Sequence, residues 1–383
     1  MLEIISKGFL QLCIILMLAA NSDLFAAFGV NFYFNLVVIL LLLFLELFSL
    51  RKYSLFLTHL WLFNISFFIV NISINNRETA SYSNLITFVL VTLCISLFRK
   101  IKLTERQMLL SLLIGIILSA IRVLSLNTEL LVESLATSNR FKANFVGAVN
   151  NFSYLLTLGV AITIFYVGNK ATRTTLLFFL VPLNLLTLSR GGNLSMVILF
   201  AYLFLSRFSI KTAAVYFTIL AALFYFIPSS YYEGYVSLFT TRYDLSETEG
   251  GAGRSIIWEK VIEMLDTPFK VLFGVGSGSF RFGDDEVSTH NQYLDFFYSF
   301  GVLGLLYFIS QYFYVIYKLA RSYKANEPII IFHILYLISF LFDSRLWVIQ
   351  TFWIFSMIIG ISLKRIESDD NASRIYSNRK AHV

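Results

Sequence analysis

The chain has 383 residues, 57% of them apolar and only 14% charged, with a formal charge of +7 and a mean hydropathy of +0.74. A soluble domain carries about 25% charged residues, so this deficit, together with repeated apolar runs of roughly 20 residues, excludes an ordinary soluble domain and indicates an all-α integral membrane protein. The runs lack the ten-residue alternation of an outer-membrane barrel, and the positive charge is scattered over short polar breaks rather than gathered as a nucleic-acid surface.

Taken in order, the apolar runs predict about twelve transmembrane helices: 5–21, 30–50, 53–73, 83–98, 108–126, 145–167, 174–188, 193–206, 212–228, 293–317, 329–343 and 347–363. The first run (Phe9 to Ala20) has the length of a signal-peptide core, but no small-residue cleavage site follows it, so it counts as a span. Spans seven and eight are short and are predicted to be tilted or partly re-entrant. Cys13 and Cys94 both fall in apolar runs and read as small apolar fillers.

The polar breaks alternate in sign. Arg51-Lys52, Arg99 to Arg106, Lys170-Arg173, Arg207-Lys211, Lys318 to Lys324 and Lys364 to Lys380 form one set; Glu78, Glu129, Glu133, Glu233, Asp244, Glu247, Glu249, Asp284 to Glu286 and Asp343 form the other. The positive-inside rule places the first set, and both termini, in the cytoplasm. The expected organisation is helices one to nine over 1–228, a large outer (periplasmic) loop between helices nine and ten over 229–292, helices ten to twelve over 293–363, and a cytoplasmic tail over 364–383. Within the loop, Ser255 to Leu265 places Ile256, Ile257, Lys260, Val261, Met264 and Leu265 at helical spacing, with Pro268 expected to end the helix. The polar tail from Glu367 is expected to be disordered.

Reactive groups concentrate on the outer face. His290 follows a glycine-rich segment and is flanked by Thr289 and Asn291; an imidazole there suits a general base. His59, His333 and His382 lie in spans or in the tail and are set aside. Arg190, in Ser189-Arg190-Gly191-Gly192, stands between two short spans, where a charge is costly unless it has a partner or lines a watery cavity. Arg254 opens the loop helix, Arg281 follows Gly274, Gly276 and Gly278, and Arg140 precedes span six. Arginines bind phosphate bidentately. Several of them beside a histidine suit displacement of a lipid-linked pyrophosphate by a sugar hydroxyl, without metal or cofactor. Asp284-Asp285-Glu286 reads as a solvated acidic turn. The Gly-x-Gly-x-Gly run has neither the βαβ setting nor the Lys-Ser/Thr of a nucleotide loop.

Ser189-Arg190-Gly191-Gly192, Gly253-Arg254 with Trp258, Gly274-Val-Gly276-Ser-Gly278 and His290-Asn291, followed after nine residues by Gly301-Val-Leu-Gly304, together resemble the O-antigen polymerase and O-antigen ligase superfamily. Asn144 through Asn150-Asn151 also resembles that family's asparagine-bearing span. The resemblance covers about 140–305 and implies a bacterial inner-membrane glycosyltransferase that takes glycan from undecaprenyl pyrophosphate. It implies that His290 activates the acceptor hydroxyl and that Arg190 and Arg254 hold the pyrophosphate. Arg140, Arg281, Asn291, Gly276 and Gly278 are then substrate contacts. Undecaprenyl-pyrophosphate-linked oligosaccharides and membrane lipid are the implied partners, with a chain-length regulator and a flippase alongside. Family ligases often continue with Thr-Thr where this chain has Leu305-Leu306, which favours the polymerase over the ligase. A flippase of lipid-linked sugars and a purely structural membrane protein are the readings from other classes.

Overall fold

The computed structural model describes residues 2–19, 80–126, 128–129, 148–187, 189–207, 254–276, 280–282, 285–287, 290–342 and 349–381. The second, third and ninth expected spans, Arg140 and Gly278 lie outside them. The helices are α1 (Leu2–Ala19), α2 (Ala80–Lys100), α3 (Glu105–Leu126), α4 (Ala148–Tyr166), α5 (Lys170–Leu186), α6 (Arg190–Arg207), α7 (Arg254–Glu263), α8 (Pro268–Phe273), α9 (Gln292–Ala320), α10 (Tyr323–Phe340) and α11 (Ile349–Ala381). Between α8 and α9, β1 (Phe280–Phe282) and β2 (Asp285–Val287) form an antiparallel hairpin with Arg281 opposite Glu286. The expected acidic turn is thus partly strand. Among the described residues, α3 and α9 are long and apolar enough to cross a bilayer by length and composition alone.

Helix α4 is the hub of the bundle, touching α3, α5, α6 and α10. Its buried face carries Phe152, Leu155, Leu156 and Leu158, which join Leu112, Ile116, Leu180, Leu199 and Tyr336 in one apolar core. Cys13 and Cys94 are buried and free, as fillers should be. Helices α5 and α6 have 17 and 18 residues, longer than the expected short spans. The gain comes from the ends: Lys170 and Arg173 lie in the first turn of α5, and Arg190-Gly-Gly-Asn193 belongs to α6 rather than to a break before it.

The cationic ends cluster together. Glu105, in the first turn of α3, accepts from Arg365 of α11 (2.8 Å, Nη2 to Oε1) and from the Tyr166 hydroxyl of α4. Arg365 Nη1 also donates to Asn326 Oδ1 at 2.7 Å, tying in α10. Lys364 Nζ donates to the carbonyls of Ile101 and Leu103 at 3.0 and 3.1 Å, and burial lowers its pKa from the usual lysine range. Arg99 pairs with Glu367, which anchors the start of the polar tail. The tail then continues as helix to Ala381, where disorder was expected.

Two glycines make a backbone-to-backbone joint at the opposite end. Helix α9 breaks at Gly301 (φ 67°, ψ −172°). Near the break, the carbonyls of Tyr298 and Ser299 accept the N–H groups of Val275 and Gly276 at 2.7 and 3.1 Å. A Cβ on Gly301 would lie 2.3 Å from the Leu272 carbonyl, and one on Gly274 (φ 83°) would lie 2.4 Å from the Ser299 carbonyl. Both contacts are with main chain, so no rotamer change relieves them. Pro268 does not terminate a helix here. Thr267 caps α8, with its side chain accepting from Lys270 N, and Pro268 occupies the first turn, where its missing N–H costs nothing. Helix α7 packs on α9 through Val261, with Ile257 and Met264 beside it, against Tyr298 and Leu294; Leu265 is also buried, while Ile256 turns outward.

Gly301→Ala and Gly274→Ala are each expected to lower the melting temperature of the detergent-purified protein by several degrees, because positive φ and a main-chain clash add. Gly8→Ala, with nothing among the described residues within 4 Å of the new Cβ, is expected to leave it unchanged or raise it slightly.

Candidate active site

The helix ends remote from the cationic cluster carry the remaining polar chemistry. Where α4, α5 and α6 meet, Ser153 donates to Asn184 Oδ1, Asn184 Nδ2 donates to Thr157 Oγ1 at 2.9 Å, and Thr157 Oγ1 approaches the Gly192 carbonyl at 3.3 Å. Ser189 Oγ donates to Asn150 Oδ1 at 3.1 Å, and Thr187 Oγ1 to Asn184 O at 2.6 Å. Ser153, Thr157, Asn184 and Ser189 are fully or almost fully buried. In an apolar surrounding an unmade hydrogen bond costs more than in water, so the network fixes the three helices in one register.

The double glycine serves this approach. A Cβ on Gly192 would lie 1.8 Å from Ser153 Oγ, and one on Gly191 would lie 2.7 Å from Phe342 Cβ, just beyond α10. Arg190 heads α6 and is 9% exposed, with Nη2 buried, a guanidinium carried inside the bundle rather than snorkelling out.

His290 reaches the same end of the bundle by another path. It precedes α9, whose N-cap is Asn291: the Asn291 side chain accepts from Tyr293 N and Leu294 N at 3.0 and 3.1 Å. Tyr293 then donates to Leu337 O of α10 at 3.0 Å and sets its ring edge-on to Phe340. Gly191, next to Arg190, thus meets Phe342 just past α10, and Tyr293, three residues after His290, meets Leu337 in its last turns. Among the described residues His290 is the one non-glycine residue with positive φ, at 51°. A histidine in the left-handed region is uncommon, and such backbone concentrates at functional sites. Its ring is half-buried with Nδ1 turned inward.

The other expected site residues divide. Arg254 stands at the first position of α7, and Arg281 sits in β1. Gly276 gives its N–H to Ser299 O, and Asn291 gives its carboxamide oxygen to the helix cap. His333, set aside in the sequence, is fully buried. It bonds through Nδ1 to the Tyr312 hydroxyl (3.0 Å) and through Nε2 to Ser362 Oγ (2.8 Å), a polar clamp joining α9, α10 and α11. The sequence reading missed the Ser153–Thr157–Asn184 network. Its signal was available: a serine and a threonine four apart in an apolar span share one helix face.

Residues 158–309 match the family model described as O-antigen ligase. The match takes in Arg190, Arg254, Arg281 and His290 and leaves Arg140 outside it. No curated protein matches the chain.

Gly192→Ala is expected to destabilise the protein by driving Ser153 off Asn184. Combining it with Ser153→Gly is expected to recover most of the lost melting temperature, a non-additivity that a double-mutant cycle measures directly.

Proposed function

We propose that this chain, a member of the O-antigen polymerase and ligase superfamily through its residues 158–309, is a surface-polysaccharide polymerase. It joins undecaprenyl-pyrophosphate-linked repeat units at the periplasmic face of a twelve-span inner-membrane bundle. Family members are bacterial inner-membrane enzymes of the glycosyltransferase type that act on lipid-linked glycans. The observation that carries the reading is a nine-tenths buried arginine, Arg190, and a backbone-strained histidine, His290, whose chain neighbours Gly191 and Tyr293 both meet the end of α10.

The chemistry follows from those groups. The oxygen of the acceptor sugar hydroxyl attacks the anomeric carbon of the donor glycan, and the bond from that carbon to the pyrophosphate oxygen breaks. His290 takes the proton from the hydroxyl as the new glycosidic bond forms. The leaving undecaprenyl pyrophosphate gathers negative charge, and Arg190, with Arg254 at the head of α7, stabilises it. A guanidinium held away from water does this more strongly than one in solvent. Two guanidinium groups on the leaving pyrophosphate supply the charge compensation that a divalent cation gives elsewhere.

Leu305-Leu306 after Gly304 supports the polymerase over the ligase. The family description itself supports the ligase, which would move a finished chain to lipid A core. The match lends no support to the flippase reading, which is not pursued. The test is expression of His290→Ala in a host lacking its own copy, with the surface glycan separated on a gel. A polymerase gives a ladder with wild type and only core plus one repeat with the variant at matched membrane levels. A host that shows bare core, decorated once wild type is supplied, identifies a ligase instead. A normal ladder from His290→Ala removes His290 from the chemistry.

A further inference from the structure

Asn193 lies one helical turn beyond Arg190 in α6. The residue is 5% exposed, yet among the described residues neither Oδ1 nor Nδ2 has a hydrogen-bond partner. Its backbone is satisfied, with N–H donating to Ser189 O at 2.8 Å, so the deficit is confined to the carboxamide. The fold here is able to pair an amide: Asn184, equally buried, uses Oδ1 with Ser153 and Nδ2 with Thr157. Further along α6 the buried residues are Ser195, whose hydroxyl bonds the Gly191 carbonyl, and the apolar Met196, Leu199 and Leu203. A leucine at 193 would fill similar space with no polar atom to desolvate. A buried polar group left unmade is a standing loss of stability, and such losses collect where a site is built for something other than the resting fold.

We propose that Asn193 is a substrate-binding residue whose Nδ2 donates to an oxygen of the lipid carrier's pyrophosphate. The proposal rests on the reading of this site as a pyrophosphate-leaving glycosyltransferase. Residues three apart on a helix are surface neighbours, so Asn193 and Arg190 address adjoining parts of one ligand. Asn193 lies one turn further into α6 than Arg190, which in this proposal sets it against the prenyl-bearing phosphate. A second cation at that depth would be expensive, whereas a carboxamide supplies a donor without a charge. The remaining Oδ1 is placed to accept from the Arg190 guanidinium as it turns towards the same anion. A donor already in place and otherwise unused gains most as charge develops on the leaving group, so Asn193 acts on turnover more than on ground-state binding.

The test is Asn193→Leu in the purified full-length protein, with Asn193→Ala as a second variant that only removes atoms. Melting temperature is read without substrate, and transfer is read with undecaprenyl-pyrophosphate-linked repeat unit as donor. The expected result is a melting temperature for Asn193→Leu equal to or above wild type, with kcat lower by about tenfold or more and KM changed far less. Unchanged turnover in Asn193→Leu overturns the proposal and shows that the amide faces packing or a trapped water. A lower melting temperature in Asn193→Leu with activity lost only in proportion to folded protein overturns it as well. Arg190→Ala run alongside separates the two ideas. If it abolishes transfer while Asn193→Leu does not, only the role of Asn193 falls; if Arg190→Ala is also fully active, the reading of the site itself falls.

Discussion

Where the head of α6 meets α4 there is no room for a side chain. Gly192 lets the two backbones approach until Ser153 Oγ occupies the place a Cβ would need, and the Ser153–Asn184–Thr157 network closes over the contact. The rest of this end of the bundle depends on this approach. It sets how far α6 enters the bundle, and so how deeply Arg190 is buried. It brings Gly191 against Phe342 and thereby links α6 to the end of α10, where Tyr293 and the start of α9 are also fastened. Helix association in lipid gains little from apolar burial and much from close packing of small residues and from interhelical hydrogen bonds. A serine–glycine contact beneath a buried guanidinium uses both.

The broken helix α9 answers the same constraint differently. Backbone carbonyls in an apolar layer must be paired, and irregular backbone survives there only where other protein satisfies it. The kink at Gly301 disturbs the helical pairing of Tyr298 and Ser299, and the strap Val275–Gly276 supplies N–H groups to their carbonyls. The start of α9 is thereby fastened to the strap that precedes it in the chain. The glycines of Gly274-Val-Gly276 and of Gly301-Val-Leu-Gly304 act here as two halves of one joint. Strain at His290 is tolerated because Asn291 caps α9 immediately after it and the joint holds the same helix from the other side.

The sequence made the apolar runs legible because membrane helices carry their signal in composition, and nine of the twelve expected spans coincide with described helices to within a few residues at most ends, α10 and the tail of α11 running furthest past theirs. It misjudged the places where local chemistry has two outcomes. Pro268 ends a helix from outside and begins one from inside, and only the Thr267 cap decides between them. Arg190-Gly-Gly-Asn193 reads as a break by propensity, yet tertiary contacts make it the first turn of α6. The tail reads as disordered by its polarity, yet it extends an existing helix past the Arg99–Glu367 pair, where no new nucleus is needed. The outer arginines and His290 stood out because charge is rare in this chain. Asn193 did not, because only burial without a partner distinguishes it from any other asparagine.

The proposed function has Arg190 and His290 act on one bond, the arginine on the departing pyrophosphate and the histidine on the incoming hydroxyl. The most direct test is a kinetic double-mutant cycle on the purified protein in lipid, measuring glycan transfer for wild type, Arg190→Ala, His290→Ala and the double variant, each checked for folding by its melting temperature. Residues that serve the same transition state lose their effects non-additively, so the double variant is expected to be no slower than the worse single variant. Losses that multiply independently, or a single variant that keeps wild-type turnover, would contradict a shared site at the end of α10.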